Sequence, residues 1–82
     1  MNKKSLTPDE RFLLKLYETS IQKGDPFQEL DSREIGKLSS LKETAVKNIV
    51  KHLAQANFVK KRGETYIYLT QHGCNFILEH LV

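Results

Sequence analysis

The sequence predicts a small, mainly α (α+β) domain built from three helices, a short two-stranded β-ribbon and a C-terminal helix. Three observations predict it. Eighty-two residues can bury a single modest core. Apolar residues recur at helical spacing along most of the chain and change to a period of two between Phe58 and Leu69. Between Ile35 and Leu53 the run IGKLSSLKETAVKNIVKHL puts apolar and small residues where two short helices joined by a tight turn must touch. That pattern reads as a helix-turn-helix.

Thr7, Pro8 and Glu10 form a capping box with proline at the first helical position, so helix 1 is expected over about Pro8 to Lys23. Phe12, Leu13, Leu16, Tyr17 and Ile21 are its apolar stripe, and Gly24 stops it. A loop opens at Asp25-Pro26. Asp31 with Glu34 is a second capping box, with a hydrophobic staple between Leu30 and Ile35, and starts helix 2 near Ser32. Ile35 and Leu38 mark one face of that helix, and Gly36 admits a close neighbour.

Two starts are open for helix 3. Ser40 with Glu43 makes a capping box, while the turn geometry favours a first residue two positions later. Val46, Ile49, Val50 and Leu53 form its buried stripe, and Asn57 suits the left-handed position that closes it. Phe58–Lys61 and Tyr66–Leu69 are the strands of a hairpin around Arg62-Gly63-Glu64-Thr65, with Ile67 and Leu69 inward. Thr70 caps a last helix with Cys74, Ile77, Leu78 and Leu81 on one side. All 82 residues are read as one domain, with residues 1–6 expected to be flexible.

The net charge of +3 hides a separation of signs. Residues 1–36 carry six Lys/Arg against seven Asp/Glu, residues 37–62 seven against one, and residues 63–82 none against two. The basic third contains helix 3 and the ribbon. Opposite the buried stripe of helix 3 stand Thr44, Lys47, Asn48, Lys51 and Gln55, side chains suited to phosphates and base edges. Glu43 is the lone acid of this tract, and either serves the helix N-terminus or accepts from a cytosine amino group.

The order helix, helix, helix, ribbon, helix resembles the winged helix-turn-helix domain, especially bacterial and archaeal regulators of the MarR and ArsR types. The resemblance rests on IGKLSSLKETAVKNIVKHL and on the junction LAQANFVKKRG, in place of a common L-x-x-x-G-L-[IV]-x-[RK]. Leu69-Thr70-Gln71-His72-Gly73 is similar to the L-T-x-x-G that opens the helix after the wing. It implies a DNA-binding transcriptional regulator; no cofactor is expected from the residues. A recognition helix over about 42–56, led by Lys42, Glu43, Thr44, Lys47, Asn48 and Lys51, would enter the major groove of double-stranded DNA. A wing over 58–69 would set Lys60, Lys61 and Arg62 on backbone or minor groove. Ser40 and Asn57 replace the usual glycines, Lys42 replaces a frequent capping serine, and long terminal dimerisation helices are absent or reduced.

The alternative is a winged-helix module that docks a protein, through its basic face or an apolar patch at Ile77, Leu78, Leu81 and Val82. That patch would equally serve a homodimer made through the C-terminal helix. Structured RNA is a weaker partner for the same basic surface. Tyr66 and Tyr68 read as cross-strand packing before base stacking, and His52 as a phosphate contact or a solvent residue. Cys74 reads as a small buried hydrophobe; alone, it excludes an internal disulfide framework. His72, Cys74 and His80 lack metal-ligand spacing. No phosphate loop, nucleophile elbow or forced carboxylate pair is present, so no enzyme is expected. Neither a membrane span nor the apolar core of a signal peptide is seen, which predicts a cytoplasmic protein.

Overall fold

The computed structural model describes residues 5–82. Of the stretch expected to be flexible, residues 1–4 lie outside the described part, while Leu6 is half-buried. Along the chain run α1 (Pro8–Gln22), β1 (Leu30–Asp31), α2 (Ser32–Leu38), α3 (Glu43–Gln55), β2 (Val59–Arg62), β3 (Tyr66–Leu69) and α4 (Gln71–Phe76). α4 continues as a π-helical turn over Ile77–Leu81. The domain is thus α+β, with an antiparallel sheet in the order β1-β3-β2.

α1 begins as its sequence demands: the Thr7 hydroxyl accepts from the Glu10 amide, and the Glu10 carboxylate accepts from the Thr7 amide. The first three helices end alike. Gly24, Ser40 and Asn57 all take positive φ (102°, 59° and 64°) one residue beyond the cap. In each case the following amide donates five residues back: Asp25 to Ser20, Leu41 to Gly36 and Phe58 to Leu53. These are Schellman closures, and they satisfy carbonyls that a helix end would otherwise orphan. At Ser40 and Asn57 a side chain is carried in a backbone region where glycine is the low-energy residue.

The core gathers Phe12, Leu13 and Leu16 of α1, Ile35 of α2, the whole stripe Val46, Ile49, Val50 and Leu53 of α3, and Val59, Ile67 and Leu69 of the ribbon. Two glycines set the closest approaches. A Cβ on Gly36 would collide with the Cγ2 methyl of Val46, and one on Gly73 would collide with the carbonyl oxygen of Phe58. The first locks α2 against α3. The second seats α4 on the end of the ribbon, where the Thr70 hydroxyl caps the Gly73 amide and donates to the Asn57 carbonyl at 2.6 Å.

Several expectations are corrected. The sheet has three strands, because Leu30 pairs with Ile67 and Asp31 with Tyr66, next to a hairpin that the sequence presents as a two-stranded ribbon. Two residues are too few to display a period of two, so this strand reads as a loop. The Asp31–Glu34 capping box does not form: Asp31 caps α2 through the Arg33 amide at 2.9 Å. Nor does Ser40 cap α3; Lys42 is its N-cap and offers no side-chain bond, so the later start is the one taken.

Three apolar positions face solvent instead of the core: Ile21, Leu38 and Leu78. At about 100° per residue the arc through Phe12, Leu13 and Leu16 passes through Ser20, not Ile21. In α2 the arc through Ser32, Ile35 and Gly36 leaves Leu38 aside. The contact of Gly73 with Phe58 rotates α4 so that Gly73, Cys74 and Ile77 are buried while Leu78 lies outside.

Candidate nucleic-acid interface

α3 is amphipathic with a sharp boundary. Its stripe is at most 6% exposed, whereas Thr44, Lys47, Asn48, Lys51 and Gln55 are all exposed. Burial of four branched aliphatic side chains holds the helix down, and the 3.6-residue repeat then forces the polar set outward. Facing this side is the tip of the β2–β3 hairpin, whose three-residue loop Gly63-Glu64-Thr65 starts with positive φ at Gly63. Between helix and hairpin lies a groove of about 590 Å³.

Lys47, Asn48 and Lys51 line this groove from α3, and Lys61 lines it from β2. Strand alternation decides which cations of the hairpin arrive there. Val59 and Lys61 share the inner face, opposite Leu69 and Ile67, while Lys60 and Arg62 share the outer face, opposite Tyr68 and Tyr66. The structure therefore divides the cluster Lys60, Lys61, Arg62 that the sequence presents as one. Arg62 is further engaged by Glu29, its Nε 3.4 Å from a carboxylate oxygen.

The remaining expected residues are spread around α3. Lys42 and Thr44 are exposed but do not line the groove; Glu43 does, at its α2 end. His52 points the other way, its Nδ1 3.6 Å from Asp9 at the start of α1, which removes it from the basic face. Tyr66 is 48% exposed and Tyr68 half-buried, both on the outer side of the ribbon.

One groove cation escaped the sequence reading. Arg33, at the start of α2, lines the same groove. Its guanidinium is held by Asp31 through Nε to Oδ1 at 3.2 Å and Nη2 to Oδ2 at 3.0 Å. This two-pronged pair holds the Asp31 carboxyl below its ordinary value and raises the guanidinium above its own. With Arg33 included, four cations line the groove against the carboxylates of Glu43 and Glu64.

On the far side of the molecule the apolar patch shrinks. Ile77 is fully buried and Leu81 half-buried, so only Leu78 and Val82 remain well exposed. Phe58 stacks on Phe76 with centroids 4.6 Å apart, and His72 and His80 flank the pair at 5.0 and 4.9 Å. The two histidines are thereby packing partners of aromatic rings. Among the described residues no group of three or more His, Cys, Asp or Glu is placed to hold a metal ion, and no helix is long and apolar enough to cross a membrane. Cys74 is a free, buried thiol. Compared with known proteins, the chain matches no protein-family model and no curated protein.

Proposed function

We propose that this chain is a winged helix-turn-helix protein that binds double-stranded DNA and regulates transcription. The observation that carries the reading is the shared groove: Lys47, Asn48 and Lys51 of α3 and Lys61 of β2 converge on one side of the domain. α3 enters the major groove of the duplex, where its width admits a helix. Lys47, Lys51 and Lys61 neutralise phosphates and supply affinity that falls with salt, while Asn48 and Thr44 read base edges. The concentration of positive charge in residues 37–62 supports the same face.

The test is selection from randomised duplex DNA, followed by affinities across a salt series. Enrichment of a motif bound far more tightly than scrambled DNA is the expected result. Lys51→Ala then weakens binding to all sequences alike, and Asn48→Ala loses roughly 1–3 kcal/mol of discrimination at one position. Binding without preference that vanishes near physiological salt would favour a protein-docking role instead. The exposed Leu78 and Val82 are the feature on which such docking, or a homodimer, would rest. A twofold dimer would select half-sites about 34–36 Å apart.

A further inference from the structure

Arg33 is oriented before any ligand arrives. Asp31 accepts from its backbone amide, its Nε and its Nη2, so one carboxylate both caps α2 and fixes the guanidinium. A guanidinium carries five N–H donors in a rigid plane, and Asp31 consumes two of them. Three remain, on Nη1 and Nη2, along the edge turned away from Asp31. Arg33 stays 56% exposed while so held.

Glu43 opens α3 and lines the groove alongside Arg33, and the charge of Glu43 acts on the guanidinium. Glu43 forms no ion pair or side-chain hydrogen bond among the described residues. The guanidinium thus shares one cleft with two carboxylates, Asp31 bonded to it and Glu43 on the neighbouring helix, a setting in which a phosphate gains little attraction. A neutral base edge suffers no such repulsion and rewards geometry.

We propose that Asp31, Arg33 and Glu43 read one G·C base pair, with the free Nη edge of Arg33 donating to guanine O6 and N7, and Glu43 accepting from the N4 amino group of the paired cytosine. Asp31 is the positioning residue. An arginine already fixed in one conformer gives up less rotamer freedom on binding, so its two parallel bonds cost less to form. This rests on the DNA-binding reading and adds to it a residue and a base preference.

The experiment is motif selection and salt titration for the wild type, Arg33→Ala, Glu43→Ala and Asp31→Asn, with far-UV circular dichroism to verify folding. Asparagine caps a helix about as well as aspartate, so Asp31→Asn keeps α2 while removing the charged fork. The wild-type motif should contain a fixed G·C pair. Arg33→Ala should lose roughly 5- to 150-fold discrimination at that pair, with the salt slope unchanged. Asp31→Asn should relax the same position, and Glu43→Ala should relax it through the cytosine. A uniform loss on all sequences, with the slope reduced by about 0.9, would make Arg33 a phosphate contact and overturn the proposal. An unchanged motif in Arg33→Ala would overturn it too, while leaving DNA binding intact. A wild type that selects no motif removes the DNA reading itself, and with it this one.

Discussion

Gly36 and Val46 share one space: the Cγ2 methyl of Val46 stands where a β-carbon at Gly36 would be. The spacing of α2 from α3, and hence the pose of the polar face of α3, depends on this contact. Gly36→Ala should destabilise the fold by about 1–3 kcal/mol through overpacking, even though alanine is the better helix former. Adding Val46→Ala reopens the space, so the double variant should lose less than the sum of the two single losses. Urea unfolding of the four proteins measures the coupling, and strictly additive losses would argue against the contact.

Ser20 is fully buried in α1, and its hydroxyl has no hydrogen-bond partner among the described residues. A buried hydroxyl left unpaired costs about 1–3 kcal/mol, and serine is also the weaker helix former. Ser20→Ala should therefore raise the unfolding free energy by about 1 kcal/mol. Loss of stability in the same unfolding assay would mean that the hydroxyl has a partner.

Asp31 gives stability a dependence on acid. Its carboxyl is held below the ordinary 3.8 chiefly by the side-chain hydrogen bonds from Arg33 and then by the Arg33 amide. A carboxyl depressed in the folded state contributes fully above its unfolded value and loses that contribution as the pH falls through its folded one. The wild type should therefore lose stability more steeply than Asp31→Asn as the pH is lowered from about 4. Thermal melts between pH 7 and pH 2 test this, and parallel curves would show that the pair contributes nothing.

Most of the architecture is legible in the residues because helix ends and stripes are local. Thr7-Pro8-Glu10, Gly24, Asn57 and Thr70 each mark a boundary through their own chemistry, and the α3 stripe is buried in full. What escapes is decided by contacts distant in sequence. β1 exists because Leu30 finds Ile67, thirty-seven residues on. The exposure of Leu38 and Leu78 follows from how α2 and α4 are rotated by the glycine contacts, which hydropathy alone does not reveal. Arg33 is hidden twice in the sequence: its partner Asp31 reads as half of a capping box, and its charge averages into the slightly acidic stretch 1–36.

The sharpest test of the interface lies in two adjacent lysines. Lys60 and Lys61 are indistinguishable as sequence, but a strand sends neighbouring side chains to opposite faces. Lys61, opposite Ile67, looks into the groove beside Lys47 and Lys51, while Lys60, opposite Tyr68, looks away from it. Lys61→Ala should weaken DNA binding on every sequence and flatten the plot of log K against log salt by about 0.9, the loss of one released counterion. Lys60→Ala should leave that slope at the wild-type value, and neither variant should alter stability, since both side chains are exposed. If the two losses are equal, the ribbon presents its edge to the duplex. If Lys60 dominates, the ribbon presents its outer face, with Tyr66, Tyr68 and Arg62, and the α3 groove is not the surface that DNA occupies.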